Sequence, residues 1–384
     1  MSHIKLGLAL SCVAGRRRAR QQQLQQQRDA VAAAENALPP QQTVFAAATA
    51  FPPQGNFRPT NGTLRPIHVL HRGNVGQPGE AAVPCVVPTA ADDRHLLSAD
   101  LPEAARRAAL ARWVSDRDNP FVWRSIVNRV WQYHFGRGLV ASPNDFGRMG
   151  QQPTHPELLD WLAADFRDSG QSLKRLHRMI VMSSTWQQSS QSQPDNAAID
   201  SSNRFLWQYR RRRLDAESIR DSILAVSGAL NLQMGGPGYY LFELERTQHS
   251  PHYEYHQFDP RQAASHRRSI YRFVVRSQPD PWMTTLDCAD SSQSTPTRNE
   301  TVTPLQALSL LNSPFTLVMA EHFAHTARDA ADDLPAQTIH AVRRALQRSP
   351  TPAETADLVE YARQHGLTNL CRLLFNLSEF VYVE

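Results

Sequence analysis

Asn119-Pro120-Phe121-Val122-Trp123-Arg124-Ser125-Ile126-Val127-Asn128-Arg129-Val130-Trp131-Gln132-Tyr133-His134-Phe135-Gly136 is the stretch that decides the fold of this chain. An asparagine can accept a backbone N–H at a helix start, and a proline just after it gives up an N–H that has no partner there. Phe121, Ile126, Val127, Val130, Trp131 and Phe135 then recur at helical spacing until Gly136 stops the run, which predicts a helix with one buried face.

The same grammar repeats outward. His155-Pro156-Glu157 opens a helix with Leu158, Leu159, Leu162 and Phe166 on one face and Gly170 as terminator, and Ser172 opens the next with Leu173, Leu176, Ile180 and Val181. Leu214, Ile219, Ile223, Val226 and Leu230 form a further stripe. In the C-terminal third, Thr303-Pro304 and Ser313-Pro314 read as cap and first turn, and Thr351-Pro352-Ala353-Glu354 adds the glutamate of a capping box. Leu305, Leu308 and Leu311, then Phe315, Val318 and Phe323, are expected to bury. Met234-Gly235-Gly236-Pro237-Gly238 breaks the helical region, and Tyr239 to Leu244 with Ser269 to Val275 predict strands. Ile67 to His71, before the turn Arg72-Gly73-Asn74, predicts one more, and Pro78 to Pro88 reads as loop. The fold class expected is mainly α, a multi-helix globular domain with a minor β-sheet.

Residues 1–66 differ in kind. Gln21 to Ala37 is rich in glutamine and alanine, with Leu24, Val31 and Leu38 spaced by sevens, and predicts an exposed helix or a scrap of coiled coil. Pro39-Pro40 ends it, and the Pro-, Asn-, Gly- and Thr-rich stretch to Pro66 reads as a linker, so the compact body is expected over residues 67–384. Ile4 to Ala14 is apolar, but Arg16, Arg17, Arg18 and Arg20 follow it, whereas an export signal places its charges first; no convincing signal peptide is read.

With 384 residues, 41% of them hydrophobic, the chain can fill a sizeable core, and no run of eighteen apolar residues suggests a membrane span. The net charge of +5 is carried almost wholly by arginine. Those arginines are dispersed among 36 acids, without the concentrated stripe of a nucleic-acid reader, so no nucleic-acid partner is expected. Cys12, Cys85, Cys288 and Cys371 form no CxxC or CxxCH pattern, which leaves zinc ribbons and covalent haem without ligands and a single disulfide open. GxSxG, P-loop and GxGxxG patterns are absent as well.

Several ordered blocks carry a family likeness. They are Asn119-Pro120, Val127-Asn128-Arg129-Val130-Trp131, His134 to Val140, Asn144-Asp145-Phe146-Gly147, Pro153 to Leu162, Ser172 to His177, Arg212 to Glu217 with Ile219-Arg220-Asp221, Arg267 to Tyr271, Gln306-Ala307-Leu308 with Leu311-Asn312-Ser313, and Asn376 to Glu384. Together they resemble the planctomycete-type domain of unknown function 1553, over about four-fifths of the chain. The resemblance implies the C-terminal portion of a larger, extracytoplasmic protein linked to polysaccharide use. It also implies partner domains, one cytochrome-c-like and one a second domain of unknown function. The family has no established catalytic residues to carry over.

Three polar constellations are candidates for function. His134, Arg137, Asn144, Asp145, Arg148, His155, Glu157 and Asp160 crowd around two helix ends. There Asp145, His155 and His134 have the chemistry of acid, base or metal ligand, and Arg137 and Arg148 are candidate binding residues that could equally hold buried carboxylates. The same residues also make ordinary turns and caps. His249, His252, Glu254, His256, Asp259 and His266 form the second group. A strand would place His252, Glu254 and His256 on one face, where they suit a divalent metal, with Tyr253 and Tyr255 offering a sugar- or partner-contacting alternative. The third group is Tyr209 to Arg213 with Asp215, Glu217, Arg220 and Asp221. Helical spacing predicts ion pairs of Glu217 with Arg213 and Arg220, and convergence of Arg213 and Arg220 at the helix start would make an anion site. Two functions stay open: a binding or scaffolding module, with glycan as a candidate ligand, or a metal-dependent, hydrolase-like enzyme acting on carbohydrate.

Overall fold

Asn119, Ser172, Thr303, Ser313 and Thr351 cap the helices that the sequence led one to expect behind them, whereas His155 precedes its helix without a side-chain cap. In the computed structural model, which describes residues 20–37, 54–56, 66–82, 85, 97–98, 101–246 and 250–383, the chain divides into two compact units. The first takes residues 1–86 and 93–108 and the second residues 87–92 and 109–384. The apolar run at Ile4, the Arg16 to Arg18 cluster, most of the linker, Cys12 and His249 lie outside the described residues.

In the first unit, helix α1 spans residues 20–36 and is exposed at every position, Leu24 and Val31 included. Strand β1 (His68–Leu70) pairs antiparallel with β2 (Pro78–Ala81), so part of the segment expected as loop is a strand. Pro78 fits there because a two-stranded ribbon leaves outward N–H groups unpaired in any case. Helix α2 (Glu103–Val114), whose residues are divided between the first unit and the second, was not announced by sequence, since its alanines and arginines form no apolar stripe.

The second unit holds two apolar clusters. Helix α3 (Pro120–Phe135) begins where Asn119 accepts from Phe121 N–H at 3.1 Å and ends at Gly136, whose φ of 77° is left-handed. Its buried Trp123, Val127, Val130, Trp131 and Phe135 pack with Leu159, Leu162 and Phe166 of α4 (Pro156–Asp168) and Leu176 and Ile180 of α5 (Leu173–Val181). Asn128 faces this interior with no exposure. It clamps the following turn through two hydrogen bonds, from its Nδ2 to Val140 O at 3.0 Å and from Val140 N–H to its Oδ1 at 2.8 Å. A Cβ on Gly138 would come within 2.7 Å of that amide, which is why the turn carries glycine. A short α6 (Pro194–Ile199) follows.

The larger cluster is built from α7 (Ala216–Val226), α8 (Pro281–Thr285), α9 (Pro304–Asn312), α10 (Pro314–Ala330), α11 (Leu334–Leu346), α12 (Pro352–His365), α13 (Leu367–Leu374) and α14 (Ser378–Val381). Ala320, Ala324 and Ala327 are wholly buried along α10, and small side chains there let neighbouring helices approach closely. Phe323 stacks on Phe375 with ring centroids 5.6 Å apart, and each such buried ring contributes on the order of 2–3 kcal/mol. Thr303, Ser313, Asp333 and Thr351 cap their helices through side-chain oxygens, with full capping boxes at Thr303–Gln306 and Thr351–Glu354.

Two expectations are corrected here. Leu305 and Leu308 are exposed, because Gln306 is drawn inward to Asp287 and Thr301 (3.0 Å each) and turns the opposite face of the short α9 outward. Ser269–Tyr271 is a 3-10 turn rather than a strand; Asp221 takes the Ser269 N–H and hydroxyl at 2.8 and 2.7 Å, and Tyr239 meets Arg272 only in an isolated bridge. Strands form instead as the hairpin β4 (Glu243–Arg246) with β5 (Pro251–Glu254). A further pair, β3 (Arg212–Arg213) with β6 (Tyr382–Val383), brings the residues just before α7 against the segment after α14. Among the described residues no helix is long and apolar enough to cross a membrane. Cys85, Cys288 and Cys371 are free thiols, and burial pushes Cys371 up to about 12.

Candidate functional site: a polar cavity beside strand β3

Five segments distant in sequence, Val383 of β6 among them, enclose a cavity of about 240 Å3. The end of α3 supplies Gln132, Tyr133 and Gly136, β3 and the start of α7 supply Arg212 to Asp215 and Ser218, and the loops after α8 supply Leu286, Asp287 and residues 297–300. Gly136 is favoured by its left-handed φ, and a Cβ there would also lie 3.2 Å from the Arg212 Cδ, a tight contact that this side chain would have to ease. Arg212 in turn donates to Tyr133 O, which ties β3 to the last turn of α3.

Arg213 and Asp287 form the cavity's buried ion pair, 2.7 Å apart, with side chains 5% and 14% exposed. Asp287 stands in the left-handed region at φ 61°, a conformation aspartate tolerates. Its carboxylate also accepts from Thr301 N–H and hydroxyl, 2.8 Å each, and from Gln306 Nε2 at 3.0 Å. Burial pushes this carboxyl up, but the hydrogen bonds from Thr301 and the Arg213 guanidinium outweigh it and hold Asp287 below the ordinary aspartate range. Asp215 caps α7 by accepting from Ser218 N–H at 2.8 Å, and Arg298 grips Glu217 through two bonds of 3.1 and 3.2 Å. Gln132 Oε1, Arg212 Nε and Arg213 Nε are buried without a hydrogen-bond partner among the described residues. Exposed Asn299 and Glu300 stand at the rim. The wall therefore carries both signs of charge.

Beneath the cavity's helix, Arg220 is almost fully buried. It donates to Ser265 O at 2.6 Å and Arg267 O at 3.0 Å, lies 3.7 Å from Asp221, and faces the rings of Tyr239 and Phe315. Arg267 likewise donates to the carbonyls of Gln233, Gly235 and Pro237. These arginines hold loops that have no ladder of their own. The expected pairing of Glu217 with Arg213 and Arg220 is thus replaced. Arg212 and Arg213 lie on a strand before the helix, so their partners come from Tyr133 and Asp287, and Glu217 turns to Arg298.

The other candidates fall in separate places. Asp145 accepts from Gly147 N–H at 2.9 Å within a tight turn, while His155 meets the Thr154 hydroxyl at 2.9 Å and the edge of the Phe205 ring; the two share no hydrogen bond. His134 lies 2.8 Å from His177 Nδ1, and burial, then the His177 and Arg212 charges, lowers its pKa. Arg148 is exposed, and Arg137 lines a different depression. Strand β5 ends at Glu254 and passes into a 3-10 turn (Tyr255–Gln257), so His256 leaves the strand that was to align it with His252. Glu254 still lies 3.2 Å from His256 and 4.0 Å from His252, yet the described residues contain no group of three or more His, Cys, Asp or Glu arranged to hold a metal ion. Sequence reasoning missed Gln132, Asp287, Arg298 and Glu300 as neighbours, since they converge only through folding.

Fold and cavity together define a mainly helical domain with a small pocket of mixed charge. The chain belongs to the family described as Protein of unknown function (DUF1553), whose model matches residues 106–362. No curated protein and no solved structure matches it.

Proposed function

We propose that this domain is a binding module whose β3 cavity takes a neutral, hydroxyl-rich group such as one sugar unit of a glycan. The observation that carries the reading is the mixed wall. Arg212, Arg213 and Arg298 oppose a cation, and Asp215, Asp287 and Glu300 oppose an anion, whereas hydroxyls both donate to the carboxylates and accept from the guanidinium groups. A volume of about 240 Å3 lies just below the roughly 300–1,000 Å3 of drug-sized pockets, which suits one ring rather than a chain of them. A metal-dependent hydrolase gains less support, because neither Asp145 and His155 nor the histidines around Glu254 line this cavity.

The family resemblance supports an extracytoplasmic module of a larger protein, scaffolding or presenting a ligand beside a cytochrome-c-like domain and a second domain of unknown function. Saturation-transfer NMR against a panel of neutral and uronic mono- and disaccharides tests the site. At least one sugar is expected to bind. Asn299→Ala/Glu300→Ala, which alters only exposed rim residues, is expected to weaken it about tenfold. Silence across the panel, or binding indifferent to the rim, overturns the reading.

A further inference from the structure

The turn after α3 separates two depressions. Gly136 lines the mixed cavity, while its neighbour Arg137 lines a cleft of about 380 Å3 with Gln151, Gln152, Thr154, Ser202 and Arg204. A narrower extension shares Arg137, Thr154, Ser202 and Arg204 and adds Arg210. Among the described residues no carboxylate lines either space. All three arginines are exposed, and among the described residues none donates a side-chain hydrogen bond or forms a salt bridge, unlike Arg124 with Asp160 or Arg175 with Asp165 nearby. Asp200, whose charge Arg204 influences, is engaged elsewhere. Its carboxylate accepts from the N–H groups of Arg204 and Phe205 at 3.0 and 2.8 Å and from the Ser202 hydroxyl at 3.2 Å.

The backbone beneath these arginines is held in place. Asn128 clamps Val140, Thr154 N–H donates to Leu139 O at 2.9 Å, and Asn203 Nδ2 donates to Gln208 O at 2.8 Å. Leu206, between Arg204 and Arg210, has a φ of 57°. A bulky residue rarely adopts that left-handed conformation, and such strain concentrates at ligand sites.

We propose that this cleft is an oxyanion site, taking a sulfate ester or carboxylate carried on a saccharide, with Arg137 and Arg204 as the forked donors and Arg210 extending the positive field. Guanidinium forks match such oxygens in pairs, and the glutamine amides and hydroxyls around them suit neighbouring sugar oxygens. Among the described residues the wider space has no aromatic ring in its lining, and the two rings of the extension, Trp131 and Phe135, are buried and stacked on each other, which disfavours a stacked nucleobase. The site stands independently of the β3 cavity.

The test measures binding of the whole chain to immobilised dextran sulfate, carboxymethyl dextran, plain dextran and a single-stranded oligonucleotide at fixed ionic strength. Wild type is expected to bind one or both anionic dextrans and not plain dextran, the stronger of the two identifying the oxyanion. Arg137→Gln/Arg204→Gln is expected to bind about tenfold more weakly, with unchanged thermal unfolding, whereas the charge-matched Arg343→Gln/Arg363→Gln changes binding by less than about twofold. Equal loss in both double variants, no binding to either anionic dextran, or tighter binding of the oligonucleotide overturns the proposal.

Discussion

The loops around α7 and the cleft beside α3 use arginine for opposite ends. Around α7, Arg220 and Arg267 are spent on five backbone carbonyls, and Arg213 on Asp287 together with two more, so these guanidinium groups do the work that a sheet ladder does elsewhere. In the cleft, Arg137, Arg204 and Arg210 hold open hydrogen-bonding capacity over a backbone fixed by other residues. The contrast teaches that an arginine-rich composition says little about partners until each guanidinium has been traced to what it holds. Burial is the discriminator. A buried charge must be satisfied internally, while an exposed one over a rigid cleft is free to meet a ligand.

Substitutions break the comparison at its strongest point first. Arg220→Met keeps much of the side-chain volume but leaves Ser265 O, Arg267 O and Asp221 without their cation, and is expected to cost about 3–5 kcal/mol in urea unfolding. Arg137→Gln in the same assay is expected to stay within about 0.5 kcal/mol of wild type. Equal effects from the two would abolish the distinction. Asp287→Asn retains a residue that tolerates the left-handed backbone but strands the Arg213 charge, for an expected loss of about 2–3 kcal/mol.

The smallest effect sharpens the boundary between the two regions, where His134 contacts His177 and feels Arg212. An unfolded imidazole takes its proton near the ordinary 6.5, whereas the folded His134, disfavoured by burial and by those two charges, takes it only at lower pH. Over that interval the unfolded state binds more protons, so stability falls as pH falls below 6.5. Urea midpoints at neutral and mildly acidic pH are expected to differ less in His134→Asn than in wild type. Some slope remains, because burial and His266 lower His322 in the same direction.

The parts of the fold that could be read in advance are those whose causes are local. Asn119-Pro120, Thr303-Pro304, Ser313-Pro314 and Thr351 to Glu354 announced their helices because a cap and its acceptor lie within three residues. The apolar stripe of α3 was equally plain, since 3.6-residue periodicity needs no distant partner. Where a side chain reached far along the chain, local pattern misled. Gln306 turned α9 over, and Asp221 captured Ser269 from an expected strand.

What the amino-acid order alone settled was therefore the helical class, the capped starts and the family, all of them written in short-range spacing. Tertiary structure alone decided which arginines are locked and which are open, and that Gln132, Arg213, Asp287 and Arg298 share one cavity. Arg298 grips Glu217 across 81 residues and Arg213 meets Asp287 across 74, and such pairs are selected by three-dimensional packing and the cost of burying charge, which no neighbour-to-neighbour pattern encodes.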